Sequence, residues 1–176
     1  MLKKSLIVVS AIALILAAFV AMQSSKFHVQ RSIKISASIS DIFEQVNDQT
    51  KWEAWSPLAK LDAKMTTAYE GPNAGIGSIA KWSGNKEVGK GISVIIESKD
   101  NESVKFQLAF EEPMKMIKIS EFTFAKEGDD VLVIWKMDGE KNFVGKLMGL
   151  VFGCEKMAGK RFEEGLNNLK AVTEKK

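Results

Sequence analysis

Turn-forming residues punctuate the middle of the chain at short, regular intervals: Gly71-Pro72-Asn73, Gly84-Asn85, Asp100-Asn101, Glu112-Pro113 and Gly128-Asp129. The stretches between them are too short for helix-and-return connections, so the spacing predicts an antiparallel meander. Its strands are expected over about residues 64–70, 78–83, 87–98, 103–111, 114–125 and 131–139. The clearest is 103–111, where Val104, Phe106, Leu108 and Phe110 face one way and Lys105, Gln107 and Ala109 the other. A sheet covered on one face follows from that alternation. A further strand is expected at 27–37, with Val29, Arg31, Ile33 and Ile35 on one side and His28, Gln30, Ser32 and Lys34 on the other.

Beyond Gly139 the period changes. From Asn142, Val144, Leu147, Val151, Cys154, Ala158, Phe162, Gly165 and Leu169 recur every three or four residues, which predicts one long terminal helix lying over the sheet. Its second half carries charges on the outer face, whereas 143–153 is apolar nearly all round, with Lys146 its only charge. Gly145, Gly149 and Gly153 form a stripe without side chains, expected to meet the sheet or a cavity wall rather than water. Two short helical segments are expected after the first strand. Ser40 is placed to open the first, Thr50 to cap the second, and Pro57 to close it.

The N-terminal stretch has a different character. No charged residue occurs between Lys4 and Lys26, and residues 6–22 are apolar except Ser10. A helix of that length approaches the roughly 30 Å of a bilayer core. The residues at the candidate cleavage points are too large for signal peptidase. An uncleaved N-terminal transmembrane signal anchor over 1–26 is therefore expected, followed by a folded domain over 27–176. Basic residues flank the stretch on both sides, Lys3 and Lys4 before it and Lys26, Arg31 and Lys34 after it, nearly balancing the positive-inside count. Because so short a basic tail is the usual start of an exported protein, the N-terminus is expected in the cytoplasm and the domain in the periplasm or cell exterior. From Phe27 onward, basic and acidic residues balance at 22 each, so the basic overall pI belongs to the leader. No nucleic-acid partner is expected on that account.

Trp52-Glu53-Ala54-Trp55-Ser56-Pro57 after the first short helix, Gly75-Ile76-Gly77 ahead of a strand carrying Trp82, and the ending Phe162-x-x-Gly165-Leu166-x-x-Leu169-Lys170 stand in one order along the chain. Together with the element order, they resemble the START-like SRPBCC superfamily of polyketide cyclases and lipid-transfer proteins. The resemblance covers about 27–174. It implies an α+β helix-grip fold, in which a curved seven-stranded antiparallel sheet wraps a long C-terminal helix, with a cavity for a hydrophobic small molecule or lipid between them. Strand phase supplies Trp82, Phe106, Leu108, Phe110, Phe122, Val133, Trp135 and Met137 as lining candidates. The helix supplies Leu147, Met148, Val151 and Phe152. The same residues serve equally well as a filled core.

Few residues suit chemistry. Arg31, Lys90, Lys118 and Ser120 fall on inward phases and are expected at sheet ends or bulges with their charges in solvent. The single Cys and single His exclude disulfides, Cys-rich zinc sites and paired-His centres. His28 is expected on the surface and Cys154 in the core. No catalytic residues, metal or cofactor are expected. The function expected is non-catalytic binding or carriage of a hydrophobic molecule beside a membrane. A cyclase or dehydratase-like enzyme and a protein-interaction module with a filled core are the alternatives.

Overall fold

The computed structural model describes residues 2–174, and within the first helix the side chains of residues 2–4 and 7–9 lie outside the described ones, Lys3 and Lys4 among them. In chain order the elements are α1 (Leu2–Met22), β1 (Lys26–Ile35), α2 (Ile39–Asn47), a 3-10 turn (Gln49–Ala54) and α3 (Pro57–Leu61). There follow β2 (Thr66–Glu70), β3 (Ile79–Ser83), β4 (Lys90–Lys99), β5 (Ser103–Glu112), β6 (Met116–Glu127), β7 (Asp130–Glu140), α4 (Phe143–Phe152) and α5 (Cys154–Thr173). The strands form one antiparallel sheet in the order β1-β7-β6-β5-β4-β3-β2. The meander expected from the turns is present, and β1 closes it by pairing along its whole length with β7.

The core sits between the concave face and the helices that cross it. Trp135 is stacked on Phe162 of α5 at 3.9 Å between ring centroids and on Phe122 of β6 at 4.7 Å. Trp52 and Trp55 from the 3-10 turn complete the aromatic cluster, edge-on to Phe122. Their indole N–H groups donate to the carbonyls of Val46 and Gln45, so these tryptophans are buried without stranding a donor. Helix α5 rests on β1 and β7 through two glycines. A methyl group on Gly159 would strike the Arg31 guanidinium, and one on Gly165 would come within 2.7 Å of Trp135. Arg31, inward on β1, ends in an ion pair with Glu163 on the rim of α5.

The helix boundaries differ from those expected in the sequence, for local reasons. The N-cap of α2 is Ser38, whose hydroxyl accepts from the Asp41 amide, not Ser40. Asp48 rather than Thr50 caps the 3-10 turn. Pro57 opens α3 instead of closing a turn, because its missing N–H and fixed φ suit a first helical position; Ser56 is the cap.

The larger correction is at the C-terminus, where one long helix was expected and two are found. Gly153 adopts left-handed geometry (φ 60°, ψ 48°) and donates its N–H to the Gly149 carbonyl, ending α4 as a C-cap glycine. Only α5 lies on the sheet. Helix α4 turns away and has no buried residue, and the glycine stripe does not meet the sheet: Gly149 faces open space. Cys154, expected in the core, is half-buried at the start of α5.

Helix α1 is apolar, as its sequence implies. Among the described residues, however, no helix is long and apolar enough to cross a membrane, so the expected transmembrane helix is not found there. The side chains of residues 7–9, near the start of the apolar stretch, lie outside that description.

Candidate ligand site on the concave face

Register determines which side chains share the inner face. One row across the sheet runs Phe27, Gly139, Lys118, Leu108, Ser93 and Ala80, from β1 through β7, β6, β5 and β4 to β3. The next row toward the β5–β6 hairpin holds Met116, Phe110, Gly91 and Trp82. On the other side of the first row, Val29, Met137, Ser120, Phe106 and Ile95 align, and beyond them Trp135 pairs with Phe122. The sheet is thus graded. Near α5 it carries the stacked aromatic core, and toward β3–β5 it carries a separate aromatic pair, Trp82 and Phe110, beside the small residues Ala80, Gly91 and Ser93.

The sequence-derived lining residues separate along that gradient. Phe106, Phe122, Trp135 and Met137 are buried in the packed core. Trp82 and Phe110 meet edge to face at 5.6 Å on the far side, with half-buried Leu108 beside them. Leu147, Met148, Val151 and Phe152 lie on α4, exposed and apart from this face. The strands therefore bring all eight of the strand residues to one face, Val133 in the packed core among them, while the break at Gly153 takes the four helical ones elsewhere.

Polar groups on the inner face divide by whether they are satisfied. Ser120 accepts from Trp135 Nε1 at 2.8 Å and donates to the Lys136 carbonyl. Lys118 is 4% exposed; its Nζ donates to the Glu140 carbonyl at 2.8 Å and stands 4.4 Å from the centre of the Phe27 ring. Burial pushes the Lys118 ammonium below the usual lysine range, nearby Lys141 adds to that, and Glu140 and Glu155 oppose it. Lys118 was expected to reach solvent. It stays inside because Gly139 opposite it leaves a space that a side chain would close. Lys90, by contrast, is exposed and paired with Glu111 at 3.1 Å.

Among the described residues three buried side-chain polar atoms have no partner: Trp82 Nε1 and Ser93 Oγ on this face, and Asn101 Oδ1 in the β4–β5 turn. Trp82 and Ser93 are 8% and 5% exposed and lie on adjacent strands, where Trp82 pairs with Gly91 and Ser93 with Ala80. Because Gly91 has no side chain, the Trp82 ring can lie across β4 toward Phe110; a methyl on Gly91 would strike it. A donor or hydroxyl left unpaired in a buried site costs roughly 1–3 kcal/mol. Sequence phase finds Trp82 but misses Ser93, because a lone serine in a strand gives no sign of whether its hydroxyl is satisfied. An open groove at the β5–β6 hairpin is walled by Phe110, Met116 and Ile117 together with the charged Glu111, Glu112 and Lys115. Among the described residues no group of His, Cys, Asp and Glu could hold a metal ion.

A seven-stranded antiparallel sheet gripping a C-terminal helix defines the helix-grip class of the SRPBCC superfamily. Residues 26–174 match the model of the polyketide cyclase / dehydrase and lipid transport family, and the chain belongs to that family. Similar solved structures include protein CV1439 from Chromobacterium violaceum (12% identity, 84% of this chain and 96% of that one, TM-score 0.62). The Aha1 dimer from Colwellia psychrerythraea is similar at 17% identity, with 84% and 96% covered and a TM-score of 0.62. Major latex-like protein 151 from Panax ginseng is similar at 14% identity, with 85% and 99% covered and a TM-score of 0.55. At these identities the likeness is one of fold. No curated protein matches the chain.

Proposed function

We propose that the protein binds a hydrophobic small molecule or lipid on its concave face without transforming it, and that the apolar N-terminal helix holds it at a membrane. The observation that carries the binding is the unpaired couple, Trp82 Nε1 and Ser93 Oγ, buried among Leu108, Phe110 and Ala80. An indole N–H only donates, and a serine hydroxyl can donate too. The complementary ligand has an apolar body and an acceptor oxygen. Leu108, Phe110 and Met116 on the neighbouring rows are apolar, with Glu111, Glu112 and Lys115 out in the hairpin groove, and an apolar surround favours binding over catalysis. Of the ionisable groups on the same face, Lys118 turns its Nζ away to the Glu140 carbonyl and Phe27, and Arg31 pairs with Glu163. The family spans cyclases, dehydrases and lipid transport, so this reading rests on the site and not on family membership.

The membrane reading rests on the charge-free stretch between Lys4 and Lys26 and on the exposed Leu6, Leu14, Ile15 and Phe19 of α1. A short basic tail ahead of an apolar stretch is the usual start of an exported protein, which favours a cytoplasmic N-terminus with the domain on the periplasmic or outer side. The test is to purify the full chain in mild detergent and identify bound molecules by native mass spectrometry and solvent extraction. An apolar adduct, retained by the parent and lost from a Trp82→Phe, Ser93→Ala double variant that melts normally, supports the reading. An adduct retained equally by both chains, or none in either, contradicts it.

A further inference from the structure

We propose that α4 is a second lipid-facing element, lying in the interfacial layer of the bilayer that holds α1 and preferring anionic headgroups. This rests on the membrane reading of α1 given above.

The argument begins with the sequence of α4, FVGKLMGLVF, in which Lys146 is the only charged residue. A helix hydrophobic on nearly all sides belongs in a protein core or a membrane. This one is in no core: Phe143, Val144, Leu150, Val151 and Phe152 are all exposed, Val151 by 64%. At 3.6 residues per turn these positions spread over more than half the helix circumference, too broad an arc for one partner face. Exposed apolar surface of that extent marks an interaction site rather than an ordinary surface.

The position of α4 identifies what covers it. Lys146 reaches back to the last turn of α1, its Nζ donating to the Ala21 carbonyl at 2.9 Å, one of the orphan acceptors at a helix C-terminus. Phe19 and Met22 of that turn are themselves exposed. The two apolar helices therefore form one continuous greasy surface, and whatever receives the end of α1 also meets α4. At ten residues, α4 is about 15 Å long, half a bilayer core, so it lies along the interface and does not cross.

The charges bordering the helix agree. The groove between the end of α1, the start of β1 and the α4–α5 junction is lined by Lys26, Lys141, Lys146 and Lys156, against Glu155 as the acidic residue there, paired with Lys141 at 2.8 Å. A net positive rim around an apolar helix suits phosphate-bearing anionic lipids.

The experiment places an environment-sensitive fluorophore on single cysteines in the full chain, with Cys154→Ala removing the native thiol. Val151→Cys and Val144→Cys report on the exposed arc of α4, and Glu87→Cys on the distant β3–β4 loop. Each is mixed with vesicles of phosphatidylcholine with or without phosphatidylglycerol, including brominated lipid as a quencher. The expected result is several-fold stronger quenching at 151 and 144 than at 87, deepened by phosphatidylglycerol. A chain that binds the vesicles while the α4 dyes stay in water overturns this inference alone. A chain that ignores the vesicles overturns the membrane reading of α1 along with it. Dyes shielded from water yet unquenched by lipid, with energy transfer between copies, show that α4 pairs with a second chain instead.

Discussion

The contrast between the two C-terminal helices can be tested with one kind of substitution at two glycines. A methyl group at Gly165 would stand 2.7 Å from Trp135 Cζ3 and 3.1 Å from Pro57 Cδ, well inside van der Waals contact. Trp135 has nowhere to go. It is stacked between Phe162 and Phe122, and its indole N–H is held by Ser120 at 2.8 Å. Overpacking a fixed core typically costs about 1–3 kcal/mol, while replacing a mid-helix glycine by alanine returns about 1 kcal/mol. Gly165→Ala should therefore lose up to about 2 kcal/mol net, a fall in Tm of up to about 8 °C for a domain of this size. Gly149→Ala, whose methyl meets open space, should hold or raise Tm. Thermal unfolding of both variants, followed by circular dichroism and tryptophan fluorescence, is the assay. A stabilised Gly165→Ala chain would refute the close seating of α5, and a destabilised Gly149→Ala chain would refute the placement of α4 away from the sheet.

Further outcomes follow from the inner face and the leader. Folded Lys118 holds its proton less tightly than the unfolded chain does, so between its lowered pKa and the ordinary lysine value the unfolded state binds more protons and stability rises with pH. Lys118→Met should remove that rise and be neutral or stabilising at pH 7, as denaturant melts across the alkaline range will show; a marked loss at neutral pH would contradict the assignment. Ser93→Ala, which deletes a buried unpaired hydroxyl, should stabilise the ligand-free protein by on the order of 1 kcal/mol while weakening ligand retention. An alkaline phosphatase fused to the C-terminus should be active if the domain is exported, and its inactivity beside a working cytoplasmic reporter would reverse the topology.

What the sequence revealed and what it hid have physical causes. Strand alternation and turn residues are local signals, and the meander between Thr66 and Glu140 was legible from them, as was the shared face of Trp82, Phe106, Leu108, Phe110, Phe122, Trp135 and Met137. The break at Gly153 was not, because one residue in left-handed geometry leaves the spacing of apolar residues on either side almost unchanged. That single dihedral moved Leu147, Met148, Val151 and Phe152 from an expected cavity wall to an exposed helix. Lys118 and Ser93 were missed or misjudged for a different reason. Whether a polar side chain on an inward phase reaches water depends on the residue across from it, Gly139 in one case and Ala80 in the other. A pattern within one strand does not contain that information.

The central claim is that the unpaired donors on the concave face await a ligand's oxygen, and the four tryptophans allow it to be read directly. The indole N–H groups of Trp52, Trp55 and Trp135 already donate to Val46, Gln45 and Ser120, whereas that of Trp82 has no partner. With the chain labelled with nitrogen-15 tryptophan and assigned through Trp82→Phe, oleate, an apolar chain ending in acceptor oxygens, is titrated while the four indole resonances are followed. The account predicts that the Trp82 N–H signal moves downfield and gains protection from solvent exchange, while the other three change little. Oleate binding that leaves the Trp82 signal in place would contradict it.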